Sequence, residues 1–393
     1  MRALVLVIDA LGLGALPDAA DYGDAGAHTL RSVCEAEVGH TRVQWPNLLA
    51  LGLGNAAALT AEELARCPPV PEPTASFGAM VERSRGKDTT TGHWELAGLV
   101  SEHGFHIFPP SYPSFPPELT DRFEQATGYE LIGNRAVSGT AIIEELGSEQ
   151  MRGGKVIGYT SADSVMQIAA HEEIIGPEAL YRICEKARII CDDYRVARVI
   201  ARPFTGRPGA FIRTPNRRDF SIDLPGPSVL DKLQEGGIET VGVGKIGDIF
   251  NHQGLSRSYP DKGNAPCLRR VGELLQEEQC CDQLIFVNLV DTDMLHGHRR
   301  DPVGYYRAIQ EIDRALTGII KLLTEPDMLI ITADHGCDPG YPGTDHTREY
   351  VPLLILRPGR AGRSLGIRKS FCDVAATLRG FFKVEPNGGD PAL

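Results

Sequence analysis

The chain has 393 residues, enough to favour two domains and to bury a sizeable core. With 42% hydrophobic and 23% charged residues, it is excluded from the disordered and fibrous classes. A net charge of -12, from 40 basic and 52 acidic residues, argues against a general nucleic-acid or membrane-surface binder, while a local basic pocket for a small phosphate stays open.

Ala3–Ile8 is a continuous apolar run, as expected of a central parallel strand covered on both faces. It is shorter than a signal-peptide core of about 7–15 residues and runs straight into Asp9. No apolar run approaches the ~18 residues of a membrane span, so a cytoplasmic protein is expected. Gly86–Glu95 reads GKDTTTGHWE, three hydroxyls opening into the helix-like His93–Leu99. A hydroxyl there sits beside free N–H groups that can hold a phosphate. The plainer alternative is a helix cap, with Thr89 or Thr90 satisfying the first turn. Phe108–Pro117 is too proline-rich for helix or central strand and reads as a linker or loop. After it the pattern predicts helices at Pro117–Ala126 and Gly139–Leu146, a strand at Lys155–Tyr159 and a helix at Pro177–Tyr194. Arg195–Phe204 and Ala210–Thr214 follow, and Asp223–Pro227 marks the return to α/β alternation. A smaller α+β domain at 105–219 is therefore expected, inserted into a core made of 1–104 and 220–393.

Further apolar runs come at Leu284–Val290, Met328–Thr332 and Leu353–Leu356, with an amphipathic helix at Pro302–Thr324 between them. Strands alternating with helices indicate an α/β core, which carries its chemistry at the carboxyl ends of its strands. Asp9, Asp291 with Asp293, and Asp334 with His335 each follow such a run. Asp291, Asp293, Asp334 and His335, together with His296, His298, Asp338, Asp345 and His346, crowd residues 291–346 with carboxylate and imidazole groups. That donor chemistry suits divalent Mn, Zn or Fe. A threonine needs a base or metal to become a nucleophile, so this cluster and the GKDTTTGHWE segment reinforce each other. Paired metals with a helix-opening threonine point to phosphoryl transfer through a covalent phospho-enzyme. The 9 cysteines show no C-x-x-C pairing and read as reduced thiols; Cys280 and Cys281 are adjacent, and Cys337 lies in the histidine-rich stretch.

Ordered motifs over nearly the whole chain resemble the phosphopentomutase family of the bacterial manganese-dependent type, within the alkaline phosphatase superfamily. They are Asp9 with Gly12-Leu13-Gly14 and Pro17-Asp18-Ala19, GKDTTTGHWE, YTSADSV at Tyr159–Val165, ARPF at Ala201–Phe204, GKI at Gly244–Ile246, GHRRD at Gly297–Asp301, and ADHG at Asp334–Gly336 with PGTDHTREYVPLL at Pro342–Leu354. The resemblance implies an alkaline-phosphatase-like core with a mostly parallel central sheet and an inserted cap. It assigns Thr89 as the phosphorylated nucleophile. Asp9, Asp334 and His335 match the ligands of the metal beside that oxygen, and Asp293, His298 and His346 those of a second metal. Asp291, His296, Asp338 and Asp345 are left to orienting roles. Ser161, Asp163 and Val165, with Arg198 and Ile200 opposite, match the substrate pocket, and Lys245 the substrate-contacting lysine. For Arg198 the bland alternative is a surface ion pair. Ala10, Thr292, His296 and Cys337 depart from the family pattern, where serine, an aromatic residue, tyrosine and asparagine are usual, and His296 or Cys337 could offer a different metal donor.

The activity implied is reversible transfer of a phosphoryl group between the 1- and 5-positions of ribose or 2-deoxyribose, through a bisphosphate intermediate. Implied with it are two divalent ions, Mn2+ foremost, and priming by glucose 1,6-bisphosphate or a similar sugar bisphosphate. Small pentose phosphates are the expected partners, with no nucleic acid, membrane or obligate protein partner. The alternatives are a cofactor-independent phosphoglycerate mutase, a hydrolytic phosphatase on the same metal site, or a binding protein that has lost catalysis.

Overall fold

The computed structural model describes residues 1–36, 41–60, 63–161, 164–384 and 391–392. In chain order its strands are Arg2–Ile8 (β1), Ser76–Met80 (β2), Leu131–Ala136 (β3), Val156–Thr160 (β4), Val165–His171 (β5), Arg198–Arg207 (β6), Ala210–Arg213 (β7), Arg218–Ser221 (β8), Glu239–Val243 (β9), Arg257–Tyr259 (β10), Gln283–Leu289 (β11), Met328–Thr332 (β12), Val351–Leu356 (β13) and Ser364–Arg368 (β14). Two units result, Met1–Gly104 with Leu224–Leu393, and Phe105–Asp223.

The first unit is built on one sheet ordered β10-β9-β11-β1-β12-β13-β2-β14. Its strands are parallel except β13, which runs against both its neighbours. β1 lies at the centre, with Ile8 opposite Leu289 of β11 and Val7 opposite Thr332 of β12. Ala3–Ile8 is fully buried, as expected for an apolar run covered on both faces. This is the alkaline-phosphatase-like α/β arrangement expected from the sequence. The register aligns the carboxyl ends of β1, β11 and β12, and the reversed β13 brings the residues before Val351 to the same edge.

The second unit has a sheet ordered β3-β4-β5-β6-β7, with β8 paired to β6. Met166, Ile168, Val199 and Ala201 pack one face of it against Leu180, Ile183, Cys184 and Ala187. Those four lie at helical spacing in the helix Pro177–Asp192, which starts with proline at its first turn. Because β8 belongs to this sheet, the unit runs to Asp223 rather than ending at 219. The helix expected at Gly139–Leu146 continues to Gly153.

Candidate metal and phosphotransfer site

At the sheet's carboxyl edge the chain leaves β1 through Ala10, whose φ of 69° is rare for a residue with a side chain. The turn is held by the Ala10 amide, which donates to Asp334 Oδ1 at 3.1 Å, and by the Asp9 amide, which donates to Leu289 O at 3.2 Å. Thr292 donates its hydroxyl to Asp9 O at 2.6 Å. Asp9 and Asp334 are thereby fixed side by side, both fully buried.

After β11 the chain makes a π-helical turn, Thr292–Gly297, of the kind that recurs at functional sites. The His298 amide donates to Asp293 O at 3.2 Å, a bond five residues back. Asp293 and His298, too far apart in sequence to share one α-turn, are brought together. His298 Nε2 lies 3.4 Å from Asp293 Oδ2, and His346 Nε2 lies 3.5 Å from Asp293 Oδ1. The two imidazole Nε2 atoms face each other at 3.1 Å.

The segment that leads into Thr89 is anchored from the residues following His346. The Arg348 guanidinium, 2% exposed, meets Glu82 Oε2 at 2.7 Å and donates to the carbonyls of Glu82, Ser84 and Gly86 at 2.8, 2.8 and 2.7 Å. Lys87 bridges Asp24 and Asp345, each at 3.1 Å. Asp88 caps the helix Thr89–Leu96, accepting from the Thr91 amide at 3.1 Å and the Thr91 hydroxyl at 2.6 Å. The cap is thus neither Thr89 nor Thr90, and the Thr89 hydroxyl turns to His335 Nε2 at 3.2 Å. Gly92 lets this helix press on the next strand end, since a Cβ there would fall 2.0 Å from Asp334 O.

His335 Nε2 also lies 3.4 Å from Asp9 Oδ1 and 3.3 Å from Asp334 Oδ2. Its Nδ1 is within 3.0 Å of Gly336 O, and His298 Nδ1 within 2.6 Å of Thr344 O. Those contacts suit a proton on each Nδ1 and would leave both Nε2 atoms to a cation. Asp9 Oδ1, Asp293 Oδ1 and Asp334 Oδ2 are buried without a hydrogen-bond partner. Burial, with Asp334 and Asp293 nearby, pushes Asp9's carboxyl well above its ordinary range. Burial acts the same way on Asp334, but His335 and His93 outweigh it and hold that carboxyl at about 2. Clustered carboxylates with orphaned oxygens are short of positive charge, and the residues fit divalent cations. Donor atoms within 4.8 Å of one another occur in the sets Asp9–Asp334–His335, Asp293–His335–His346 and Asp293–His298–Cys337.

The remaining candidates separate clearly. Asp345 orients the site, accepting from the His346 amide at 2.9 Å and pairing with Lys87. His296 is engaged by Asp301 at 2.9 Å, Asp338 accepts from the His28 amide at 2.8 Å, and Asp291 accepts from the Asn264 amide at 2.8 Å. Lys245 follows β9, and its charge opposes that of Asp9. In the second unit Val165 pairs with Arg198, and Gln167 with Ile200, so alternation puts Val165, Arg198 and Ile200 on one sheet face. Arg198 has Asp219 at 3.7 Å, the ion pair of the bland alternative. Ser161 directly follows β4, and Asp163 lies outside the described residues.

Sequence reasoning missed three residues. Asn288 donates to Asp9 Oδ2 at 2.8 Å; its signal was a polar residue inside the buried run Gln283–Leu289. His93 Nδ1 lies 2.8 Å from Thr89 O and 3.1 Å from Asp334 Oδ2. Burial works against a charge on its ring, yet Asp334 raises its pKa overall. Arg348 stood in the quoted TREYVPLL stretch with no role attached.

The family model of the Metalloenzyme superfamily matches residues 1–386. A phosphopentomutase of Anaeromyxobacter dehalogenans strain 2CP-1 is 51% identical over 393 residues, covering 100% of this chain and 98% of its own. One from Caldanaerobacter subterraneus is 50% identical over 388 residues, 98% of this chain and 95% of its own. Among solved structures, the PH0037 protein from Pyrococcus horikoshii aligns over 99% of both chains with a TM-score of 0.49 and 13% identity.

Proposed function

The chain belongs to the phosphopentomutase family of isomerases, and from that premise we propose that it interconverts the 1- and 5-phosphates of ribose or 2-deoxyribose through phospho-Thr89 and a transient 1,5-bisphosphate. One observation carries the reading: Thr89 Oγ1 stands 3.2 Å from His335 Nε2, at the opening of a helix, beside orphaned oxygens of Asp9 and Asp334.

In the first half-reaction the Thr89 O–P bond breaks as a bond forms between phosphorus and the sugar hydroxyl. In the second, Thr89 Oγ1 attacks the other phosphate of the bisphosphate, and the sugar O–P bond on that side breaks. Asp9, Asp334 and His335 would hold one divalent ion and Asp293, His298 and His346 another. When bound, such ions, with Mn2+ proposed, lower the pKa of the attacking hydroxyl and offset charge on the transferring group. Asp88 takes up the amide and the hydroxyl of Thr91, so Thr89 keeps its own hydroxyl for chemistry. Lys245 and Arg198 are assigned to substrate phosphate, Arg198 through its bidentate fork. Ser161, Asp163, Val165 and Ile200 are assigned to the sugar. A sugar bisphosphate such as glucose 1,6-bisphosphate would restore phospho-Thr89 after its loss. No helix among the described residues is long and apolar enough to cross a membrane; the reading is a cytoplasmic enzyme of small pentose phosphates with no nucleic-acid, membrane or obligate protein partner.

The test is coupled conversion of ribose 5-phosphate to ribose 1-phosphate with Mn2+ and a trace of glucose 1,6-bisphosphate. Turnover that vanishes in Thr89→Ala is the expected result. Release of free phosphate in place of the isomer would move the protein to the phosphatase reading.

A further inference from the structure

We propose that Cys337 supplies a soft donor to the Asp293–His298–His346 site, so that this site selects a thiophilic divalent ion of the zinc or cobalt class over manganese while Asp9–Asp334–His335 does not. The inference rests on the two-metal reading above and concerns which ion one of the two sites prefers.

Cys337 is 1% exposed, and its sulfur falls within the 4.8 Å set that it forms with donor atoms of Asp293 and His298. It presses on the π-turn that carries both of those residues, 2.8 Å from where a Cβ on Gly297 would stand. A tetrahedral zinc with bonds of about 2.0–2.3 Å places its donors roughly 3–4 Å apart. The nitrogen and oxygen donors of Asp293, His298 and His346 already stand 3.1–3.5 Å apart. The only hydrogen bond of the sulfur among the described residues is a long one, 3.7 Å to Asp345 O, so little competes for it. Independently, Asp293 Oδ1 is buried with no hydrogen-bond partner in this same cluster. The other set, Asp9–Asp334–His335, contains no sulfur.

The difference in donors sets the difference in preference. Manganese binds most weakly of the first-row divalent ions and favours oxygen ligands, whereas thiolate favours zinc. On ligation the Cys337 S–H bond breaks, its proton passes to buffer, and the sulfur electron pair goes to the cation. The sulfur thereby gains a bond in place of a weak contact to a carbonyl.

The experiment strips the full-length protein with a chelator and titrates it with Co2+. Two bound ions per chain are expected, one of them giving a near-ultraviolet thiolate-to-cobalt charge-transfer band. In Cys337→Ser two ions still bind, the band is lost, and the preference for zinc over manganese at one site falls about 10–100-fold. X-ray absorption on the zinc-loaded wild type needs no variant and should show one sulfur at about 2.3 Å shared between two zinc ions. Two bound ions with neither band nor sulfur would overturn the assignment of Cys337 and leave the two-metal reading standing. Fewer than two bound ions would overturn that reading, and this inference with it.

Discussion

Replacing Arg348 with Met tests whether the nucleophile is held in place from the other side of the site. The guanidinium is 2% exposed and its partner Glu82 carboxylate 1%. Removing one member of a buried ion pair costs about 3–5 kcal/mol, because the other charge stays buried without compensation. The carbonyls of Glu82, Ser84 and Gly86 lose a donor at the same time. We expect urea unfolding of Arg348→Met to show a loss in that range. The freed segment ends at Thr89, and a displacement of about 1 Å at a reacting atom lowers kcat roughly 100-fold. Burial pushes the Glu82 carboxyl up, and Arg348 is the chief influence drawing it down. The folded pKa of Glu82 lies well above the unfolded one even beside Arg348, and without Arg348 it rises further. Stability is then fully present below the unfolded carboxyl range and lost as pH rises through the folded value, so the deficit is larger at about pH 8 than at about pH 5.5. Adding Glu82→Gln should recover part of the loss, giving a coupling of about 1–3 kcal/mol in a double-mutant cycle. Unchanged stability and kcat in Arg348→Met, or strict additivity with Glu82→Gln, would refute the reasoning.

Gly92→Ala sets a methyl against the Asp334 carbonyl, 2.0 Å away if nothing moves, and should destabilise by about 1–3 kcal/mol and weaken metal binding, read by thermal unfolding with and without Mn2+. Chelation should lower the melting temperature, since the buried Asp9, Asp293 and Asp334 lose their counter-charge; at about 100 times Kd, added Mn2+ restores about 2.7 kcal/mol. Turnover should fall on the acid side as the histidine and carboxylate ligands take up protons, and excess Mn2+ should move that limb to lower pH. An acid limb indifferent to Mn2+ would assign it to some other group.

The carboxyl edge was legible because three of the strands that build it are near-continuous apolar runs followed by an aspartate: Ala3–Ile8 before Asp9, Leu284–Val290, broken only by Asn288, before Asp291, and Met328–Thr332 before Asp334. Parallel strands buried on both faces produce that signal. β2, with the sequence SFGAM, and β14, with SLGIR, are short and interrupted by glycine, so neither carries a period to read. β5 is buried throughout, but Gln167 and His171 break its apolar pattern, and it lies in the stretch where YTSADSV drew attention as a motif rather than as a strand. The helix cap stayed open in the sequence because any hydroxyl in GKDTTTGHWE could serve; Asp88 wins by accepting from both the amide and the hydroxyl of Thr91. Arg348 gave no signal at all. Its partners lie more than 260 positions away, and no local pattern encodes such a contact.

The segment between His346 and β13 shows why buried polar residues gather beside a metal site rather than in it. It is extended, bridged at Thr347 to Gly336 and at Glu349 to Ala15. Successive side chains therefore point to opposite faces. Arg348 reaches the nucleophile segment on one side. Glu349 turns to the other, accepting from the Gly14 amide at 2.9 Å and from the Thr29 and Thr347 hydroxyls at 2.7 Å each. Burial pushes Glu349 up to about 7, and those donors are what oppose it. Thr347 links the same carboxylate to the strand end that carries Asp334 and His335. Four consecutive residues thus tie one proposed metal ligand, His346, to the Thr89 segment and to the loop that follows Asp9. The ties to Gly14, Thr29, Glu82, Ser84 and Gly86 are long-range, and they join residues outside the strands of the sheet. The parallel strands fix where their ends emerge; the alternation of His346, Thr347, Arg348 and Glu349 fixes how far apart the groups that emerge are held.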